Sequence, residues 1–253
     1  MISGRHLLSS SLVFCLMLFM TGFASPAVAQ PVTLTAKDGV KVFGTYYGTG
    51  DKSKPVVLLF HMAGSNAAEY APTAPRLVAL GYNALAIDQR SGGFAFGTGN
   101  QTVKELGRSA GFLQALPDLE AALAWVASSG HGGKVIIVGS SYSASLVFLL
   151  AAQNPGKVAG LAAFSPGEYF GAGASVKGAA QKLQGVQVFV SSASDSGEIA
   201  EARSILEAVP GSAKTQLAAK RAPHGASSLR QDANGGGQAE VWEGFTRFLA
   251  SVR

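Results

Sequence analysis

The stretch from Val135 to Phe148 constrains the fold of this chain more than any other. An apolar run, Val135 to Val138, predicts a buried parallel strand, and the alanine- and leucine-rich run after Ser143 predicts a helix packed against it. Only a few residues remain between the two for the chain to reverse direction. So tight a turn holds its central residue, Ser141, in a strained conformation, with its side chain beyond the carboxyl end of the sheet.

The remaining apolar runs extend this unit into a sheet. Asp38-Gly39, between two β-forming runs, predicts an antiparallel hairpin at the start of the chain. The strands are predicted at 32–35, 40–47, 56–60, 84–87, 135–138, 158–164, 186–190 and 215–219. The helices are predicted at 69–80, 116–127, after Ser143, 198–208 and 241–252. Residues 94–111 show little periodicity and predict a loop, either one that contacts substrate or one that is solvated and mobile.

Three segments carry a resemblance to a known family. Gly139-Ser140-Ser141-Tyr142-Ser143 resembles the G-x-S-x-G nucleophile elbow of the α/β-hydrolases, with Ser143 in place of the last glycine. His61-Met62-Ala63-Gly64 is similar to the oxyanion loop His-Gly-x-Gly, with Met62 in place of the first glycine. Asp88-Gln89-Arg90-Ser91-Gly92-Gly93 resembles the D-x-R-G-x-G turn, in which the aspartate has a structural role.

The resemblance implies an α/β-hydrolase fold, a mostly parallel central sheet of about eight strands flanked by helices. Only about twenty residues separate the strands ending at 164 and beginning at 186, so no cap domain is expected there. The chain is most similar to the small dienelactone-hydrolase-like group, although that group has a cysteine nucleophile and this chain has a serine.

The resemblance also implies a catalytic triad in the order Ser141, Asp195, His224. A serine hydroxyl needs a base to take its proton, and the histidine needs an acid that fixes its tautomer. Glu198 and Asp232 remain alternatives for the acid.

The choice of His224 rests partly on elimination. His61 belongs to the oxyanion loop and His131 precedes the strand at 135, which places it at the amino edge of the sheet as a surface turn residue. The two oxyanion donors implied by the family are the backbone amides of Ala63 and Tyr142, with Met62 as the alternative to Ala63.

The first 29 residues predict a secretory signal peptide. Arg5 and His6 precede an apolar run from Leu12 to Phe23, and Ala27-Val28-Ala29 has the small-residue pattern of a cleavage site. Cleavage would leave 30–253 as a single domain, secreted or periplasmic, without stable membrane insertion. Because the only cysteine is Cys15, the mature domain would contain neither disulfides nor thiolate sites.

These features together predict a serine hydrolase acting on carboxylic esters, lactones or related small acyl compounds. The sequence carries no metal-binding histidine cluster and no nucleotide-binding glycine motif, so no cofactor is expected. The formal net charge is +5, but the basic residues are scattered, and nucleic acid is not expected as a partner. The alternatives are a peptidase of the same fold and a non-catalytic binding protein. The sequence does not specify an oligomeric state.

Overall fold

The computed structural model describes Met1 and residues 28–252, which contain one eight-stranded sheet. The strands are β1 (Val28–Thr35), β2 (Lys41–Gly48), β3 (Val56–Phe60), β4 (Asn83–Ile87), β5 (Val135–Ser140), β6 (Gly160–Phe164), β7 (Gln187–Ser191) and β8 (Lys214–Leu217). Their order is β1-β2-β4-β3-β5-β6-β7-β8. The pairs β1–β2 and β2–β4 are antiparallel and the other five are parallel.

Helices cover both faces of the sheet. They are α1 (Thr73–Ala79), α2 (Gln101–Leu106), α3 (Leu116–Ser128), α4 (Tyr142–Gln153), α5 (Val176–Ala180), α6 (Ser196–Ala208) and α7 (Gln238–Val252). Strand β3 alternates between two hydrophobic clusters: Leu58 and Phe60 pack on the face with α3 and α4, whereas Val57 and Leu59 pack on the face with α1 and α7. A strand buried on both faces needs a continuous apolar sequence, and β3 has one.

The register of the central strands brings their carboxyl ends to one edge. Phe60 of β3 pairs with Gly139 of β5, Ser140 with Phe164 of β6, and Phe164 with Ser191 of β7. The loops that follow these strands therefore begin side by side. This register places the elbow between the predicted oxyanion loop and the predicted acid loop.

The predicted fold class is confirmed, but two predicted elements are wrong in detail. The helix predicted at 69–80 is a 3₁₀ turn, Ala67–Tyr70, followed by the short α1, with Pro72 at its N-cap. Proline has no amide hydrogen to donate to a carbonyl of the preceding turn, so the helical hydrogen-bond series is interrupted at this point.

The predicted loop 94–111 contains a helix, α2. The Asn100 side chain accepts a hydrogen bond from the Val103 amide at its start, and Gly107 ends it with a φ of 75°. An asparagine and a glycine at these two positions are the usual caps of a short helix, and this signal outweighs the weak periodicity.

Between β6 and β7 the chain forms only a 3₁₀ turn, Gly171–Gly173, and α5. In the part of the chain that the structure describes, no cap domain covers the carboxyl edge. Most of the predicted signal peptide lies outside the described residues. None of the helices among the described residues has the length and apolar character needed to cross a membrane.

Candidate active site

Ser141 lies on a sharp turn between β5 and α4. Its backbone has φ 58° and ψ −122°, a strained combination for a residue with a side chain. The turn is tight enough that a Cβ atom added to Gly139 would lie 2.3 Å from the carbonyl oxygen of Ser143. Glycine is therefore required at the start of the elbow, where helix and strand approach each other.

The structure brings His224 to Ser141 across 83 residues of sequence. The Nε2 atom of His224 lies 2.8 Å from the Ser141 Oγ, and its Nδ1 atom lies 2.9 Å from Oε1 of Glu198. The side chain of His224 is 40% exposed and that of Glu198 is 30% exposed. A serine hydroxyl, an imidazole and a carboxylate are thus connected in one chain of hydrogen bonds that opens to solvent.

The prediction of Asp195 as the partner of the histidine is corrected by this geometry. Asp195 is the N-cap of α6, where its Oδ1 accepts hydrogen bonds from the amides of Gly197 and Glu198 at 2.9 and 3.1 Å. An aspartate with its carboxylate turned onto its own helix cannot also orient the imidazole. Glu198, one of the two alternatives that the sequence left, lies in the first turn of α6 and contacts His224 instead.

The sequence does contain a signal for this exchange. Asp195-Ser196-Gly197-Glu198 has an N-cap residue followed three positions later by glutamate, the pattern of a capping box. Side chains of a helix lean towards its N-terminus, so the glutamate at the third position points back over the loop after β7. Its Oε2 accepts a hydrogen bond from the Ala193 amide at 3.3 Å, while its Oε1 faces His224.

Glu198 is held in its charged form. Burial raises the pKa of this carboxyl, but hydrogen bonds from His224 and Ser165 outweigh it and leave the pKa lowered. Ser165 follows β6 with a φ of 57°, and its hydroxyl accepts a hydrogen bond from the Gly225 amide at 3.0 Å. This second strained serine therefore contacts Glu198 and the residue after His224.

The two predicted oxyanion donors both have amides available. Tyr142 is the first residue of α4, so its amide has no acceptor within the helix. Within the described residues the Ala63 amide has no hydrogen-bond partner, whereas the Met62 amide donates to Glu69 Oε2 at 2.8 Å. Of the two candidates in this loop, Ala63 is the one whose donor is not already used.

Ser143 has a structural role that the family glycine could not fill. Its hydroxyl donates to the carbonyl oxygen of His61 at 2.6 Å and accepts from Nε2 of Gln89 at the same distance. Gln89 also accepts from the His61 amide through Oε1, at 2.8 Å, and donates to the Tyr142 hydroxyl at 3.0 Å. The departure at Ser143 thus connects the elbow helix to the oxyanion loop.

His61 supports the loop from below. Its Nδ1 donates to the Met62 carbonyl oxygen at 2.7 Å, and its Nε2 accepts from the Gln89 amide at 2.9 Å. Burial lowers the pKa of His61 to about 4, against smaller opposing effects of these backbone contacts, so the ring is neutral at physiological pH. The prediction that His61 props the loop agrees with these contacts.

The other residues considered from the sequence lie away from the serine–histidine pair. Asp88 accepts hydrogen bonds from the amides of Ala67 and Gln101, and Asp232 pairs with Arg230. His131 lies at the amino edge as expected, but it is buried against the rings of Tyr46 and Trp125 and is not a surface residue. No group of three potential metal-ligating side chains occurs among the residues described.

Two aromatic side chains flank the elbow. The Phe112 ring stacks on Tyr142 with 4.7 Å between ring centroids, and 38% of Phe112 is exposed. The Tyr169 hydroxyl donates to the Ser165 carbonyl oxygen at 3.1 Å. Burial raises the pKa of Tyr169 to about 12, with Ser141 near enough to exert a small opposing effect. Neither ring was predicted, because nothing in the local sequence distinguishes them from other loop aromatics.

Comparison with protein families identifies the chain. The model of Hydrolase_4, described as "Serine aminopeptidase, S33", matches residues 51–205. The chain belongs to this family. This member of Hydrolase_4 is therefore an α/β-hydrolase, and the matched segment runs from the loop before β3 into α6. It includes the elbow and Glu198 but ends before His224. A search of curated proteins found no match.

Solved structures show the same fold at low sequence identity. An esterase of Pyrococcus furiosus, Pf2001, superimposes with a TM-score of 0.66 at 18% identity, over 89% of this chain and 91% of that chain. The dienelactone hydrolase of Anabaena variabilis gives 0.67 at 17% identity, over 88% and 99%. A putative dienelactone hydrolase of Klebsiella pneumoniae gives 0.66 at 18% identity, over 90% and 99%. The predicted similarity to the dienelactone-hydrolase-like group is confirmed at the level of the fold.

Proposed function

We propose that this α/β-hydrolase cleaves carboxylic esters or related small acyl compounds through an acyl-enzyme on Ser141. The observation that carries the proposal is the contact of 2.8 Å between the Ser141 hydroxyl and His224, with Glu198 on the other nitrogen of the ring. In this proposal Glu198 replaces Asp195 as the acid of the triad.

The proposed reaction follows from these contacts. The Ser141 Oγ attacks the substrate carbonyl carbon while its proton passes to His224 Nε2. Glu198 accepts the hydrogen bond from Nδ1–H and stabilises the imidazolium that forms. The carbonyl oxygen, now negative, accepts hydrogen bonds from the amides of Ala63 and Tyr142.

The remaining steps, loss of the alcohol and hydrolysis of the acyl-enzyme, use the same groups. His224 gives its proton to the leaving alkoxide, and the C–O bond to the alcohol breaks. Water then enters, loses a proton to His224 and attacks the acyl carbon. Collapse of the second tetrahedral intermediate releases the acid and returns the proton to Ser141.

A fluorophosphonate probe tests the proposal directly, because it labels only an activated serine. We expect labelling of the wild type that disappears in Ser141→Ala and in His224→Ala. Absence of labelling in a folded wild-type sample would contradict the acyl-enzyme and favour a non-catalytic protein.

The second candidate is a peptidase, which the description of the matching family model favours. Both activities use the same triad, but only a peptidase must protonate a poor amine leaving group. Initial rates on an ester, a lactone and an aminoacyl amide that share one acyl group separate the two, and we expect the ester and lactone to be hydrolysed faster.

We also propose that residues 1–29 direct export and are removed, which leaves the domain secreted or periplasmic. The basic head, the apolar run and Ala27-Val28-Ala29 support this. The intact mass of the exported protein tests it, because cleavage after Ala29 gives a chain that begins at Gln30.

A further inference from the structure

Glu69 is a buried carboxylate beneath the candidate active site that the proposed reaction does not use. Its exposed fraction is 0%, although it lies in the short 3₁₀ turn after the oxyanion loop. A buried carboxylate is unfavourable unless its oxygens are hydrogen-bonded, so its contacts call for an explanation.

Each carboxylate oxygen of Glu69 contacts a different part of the site. Oε2 accepts a hydrogen bond from the Met62 amide at 2.8 Å. Met62 directly precedes Ala63, whose amide is a proposed oxyanion donor. Oε1 accepts a hydrogen bond from the Ser140 hydroxyl at 2.7 Å. Ser140 directly precedes the proposed nucleophile, Ser141. One carboxylate therefore contacts the oxyanion loop and the last residue of β5.

Ser140 extends the connection to the third loop. Its hydroxyl accepts a hydrogen bond from the Ala226 amide at 2.8 Å, two residues after His224. A Cβ atom added to Gly225 would lie 2.5 Å from the Ser140 Oγ, so the histidine loop packs directly on this side chain. The hydroxyl can donate to Glu69 and accept from Ala226 at once, which a residue without a hydroxyl could not do.

We propose that Glu69 is a positioning residue that, as a carboxylate, holds the oxyanion loop, the elbow and the histidine loop at their mutual distances. This inference rests on the proposed function. Only an ionised carboxylate offers acceptors on both oxygens without a proton of its own to place. An amide at this position would present an N–H group either to the Met62 amide or to Ser140.

The surroundings of Glu69 set the pH at which this form exists. Burial raises the pKa of Glu69 to about 7, against smaller opposing effects of the hydrogen bonds and of the charges of Arg230 and His224. The other titratable groups that interact with it are the hydroxyls of Tyr70 and Tyr142. We therefore expect one ionisation near pH 7 in the pH profile of kcat/KM that belongs to Glu69.

The test compares Glu69→Gln with Asn83→Ala. Asn83 is equally buried and hydrogen-bonded, but it lies at the amino end of β4, on the edge away from the site. For Glu69→Gln we expect the rate of fluorophosphonate labelling and kcat to fall roughly 10- to 100-fold, as small displacements of reacting groups do, with KM within about twofold. The pH profile of kcat/KM should contain one ionisation fewer than that of the wild type. Asn83→Ala should lose thermal stability and keep the kcat and pH profile of the wild type.

Two further measurements separate the possible failures. If Glu69→Gln does not fold, Ser140→Ala removes the part of the connection that runs from Glu69 to the elbow and the histidine loop, and we expect a loss of kcat in the same direction. In isotope-labelled protein, the Met62 and Ala226 amide resonances should both shift in a folded Glu69→Gln variant and remain in place in Asn83→Ala. A folded Glu69→Gln variant with wild-type kcat and pH profile would overturn the positioning role and leave the proposed function intact. A wild type that does not label would overturn the proposed function, and the amide shifts would still decide whether Glu69 connects the loops.

Discussion

At the residue scale, two carboxylates at the start of α6 have different tasks. Asp195 caps α6, and Glu198 contacts His224. The shorter side chain suits the cap because it must fold back onto amides two and three residues ahead. The longer one suits the histidine because it must cross from the helix to the loop after β8.

Replacing each carboxylate by its amide should distinguish these tasks. We expect Glu198→Gln to lower kcat by roughly 10³- to 10⁴-fold, because the amide no longer fixes the tautomer of His224 or stabilises its charge. Asp195→Asn is the matched control, since asparagine is an equally good N-cap, and its kcat and melting temperature should remain close to wild type. Steady-state kinetics on one ester decides, and the reverse pattern would restore Asp195 as the acid.

Gly139 gives a second prediction at the same scale. In Gly139→Ala the added methyl would lie 2.3 Å from the Ser143 carbonyl oxygen, so helix and strand must separate. We expect about 1–3 kcal/mol of lost unfolding free energy in urea titrations, together with loss of fluorophosphonate labelling. Gly132→Ala, in a turn with open space around its Cα, should change the unfolding free energy by no more than about 0.5 kcal/mol. An unchanged labelling rate in Gly139→Ala would show that Ser141 stays reactive when β5 and α4 lie further apart.

At the scale of elements, the loop before α3 packs against the first residue of α4. Phe112 stacks on Tyr142, whose amide is one of the two proposed oxyanion donors. A half-exposed ring in this position can contact the apolar part of a bound substrate. The contact depends on packing between separate elements and not on the sequence around Phe112.

Shortening this side chain should affect binding more than chemistry. In Phe112→Ala we expect KM to rise roughly 3- to 10-fold for esters with an aryl or long acyl group, as loss of an aromatic contact of about 1 kcal/mol implies, and little for acetates. Leu80→Ala is the control, because Leu80 is similarly exposed but follows α1 at the opposite edge. Equal changes for acetates and aryl esters would contradict a substrate contact.

At the scale of the whole molecule, two buried groups make opposite contributions to the pH dependence of stability. The pKa of Glu69 is raised to about 7, so the folded state holds its proton more tightly and this contribution is lost as pH rises from about 4.5 to 7. The pKa of His61 is lowered to about 4, so its contribution is lost as pH falls from about 6.5 to 4. Between about pH 4.5 and 6.5 the two slopes oppose each other.

Replacing Glu69 should isolate its contribution to the pH dependence of the unfolding free energy. The unfolding free energy of the wild type minus that of Glu69→Gln should decrease by on the order of 3 kcal/mol between pH 4.5 and 7, because each pKa unit is worth about 1.4 kcal/mol. Denaturant titrations at several pH values measure this difference, and Asn83→Ala, which removes no ionisable group, should show no such slope. A difference that does not vary with pH would mean that Glu69 ionises at its ordinary pKa. In that case the carboxylate form of Glu69 would not lower the unfolding free energy at neutral pH.

The sequence by itself determined the approximate positions of the strands along the chain and the serine and histidine that the structure brings together. The strands follow from apolar runs, whereas the serine, the histidine and the loop after β3 were named from the resemblance of their segments to those of α/β-hydrolases. The tertiary structure decided which carboxylate faces His224, which amide of the oxyanion loop has no other acceptor, and what Ser143 and Glu69 contact. These depend on how far side chains reach between loops that are distant in sequence, and that distance is set only when the strand register brings their ends together.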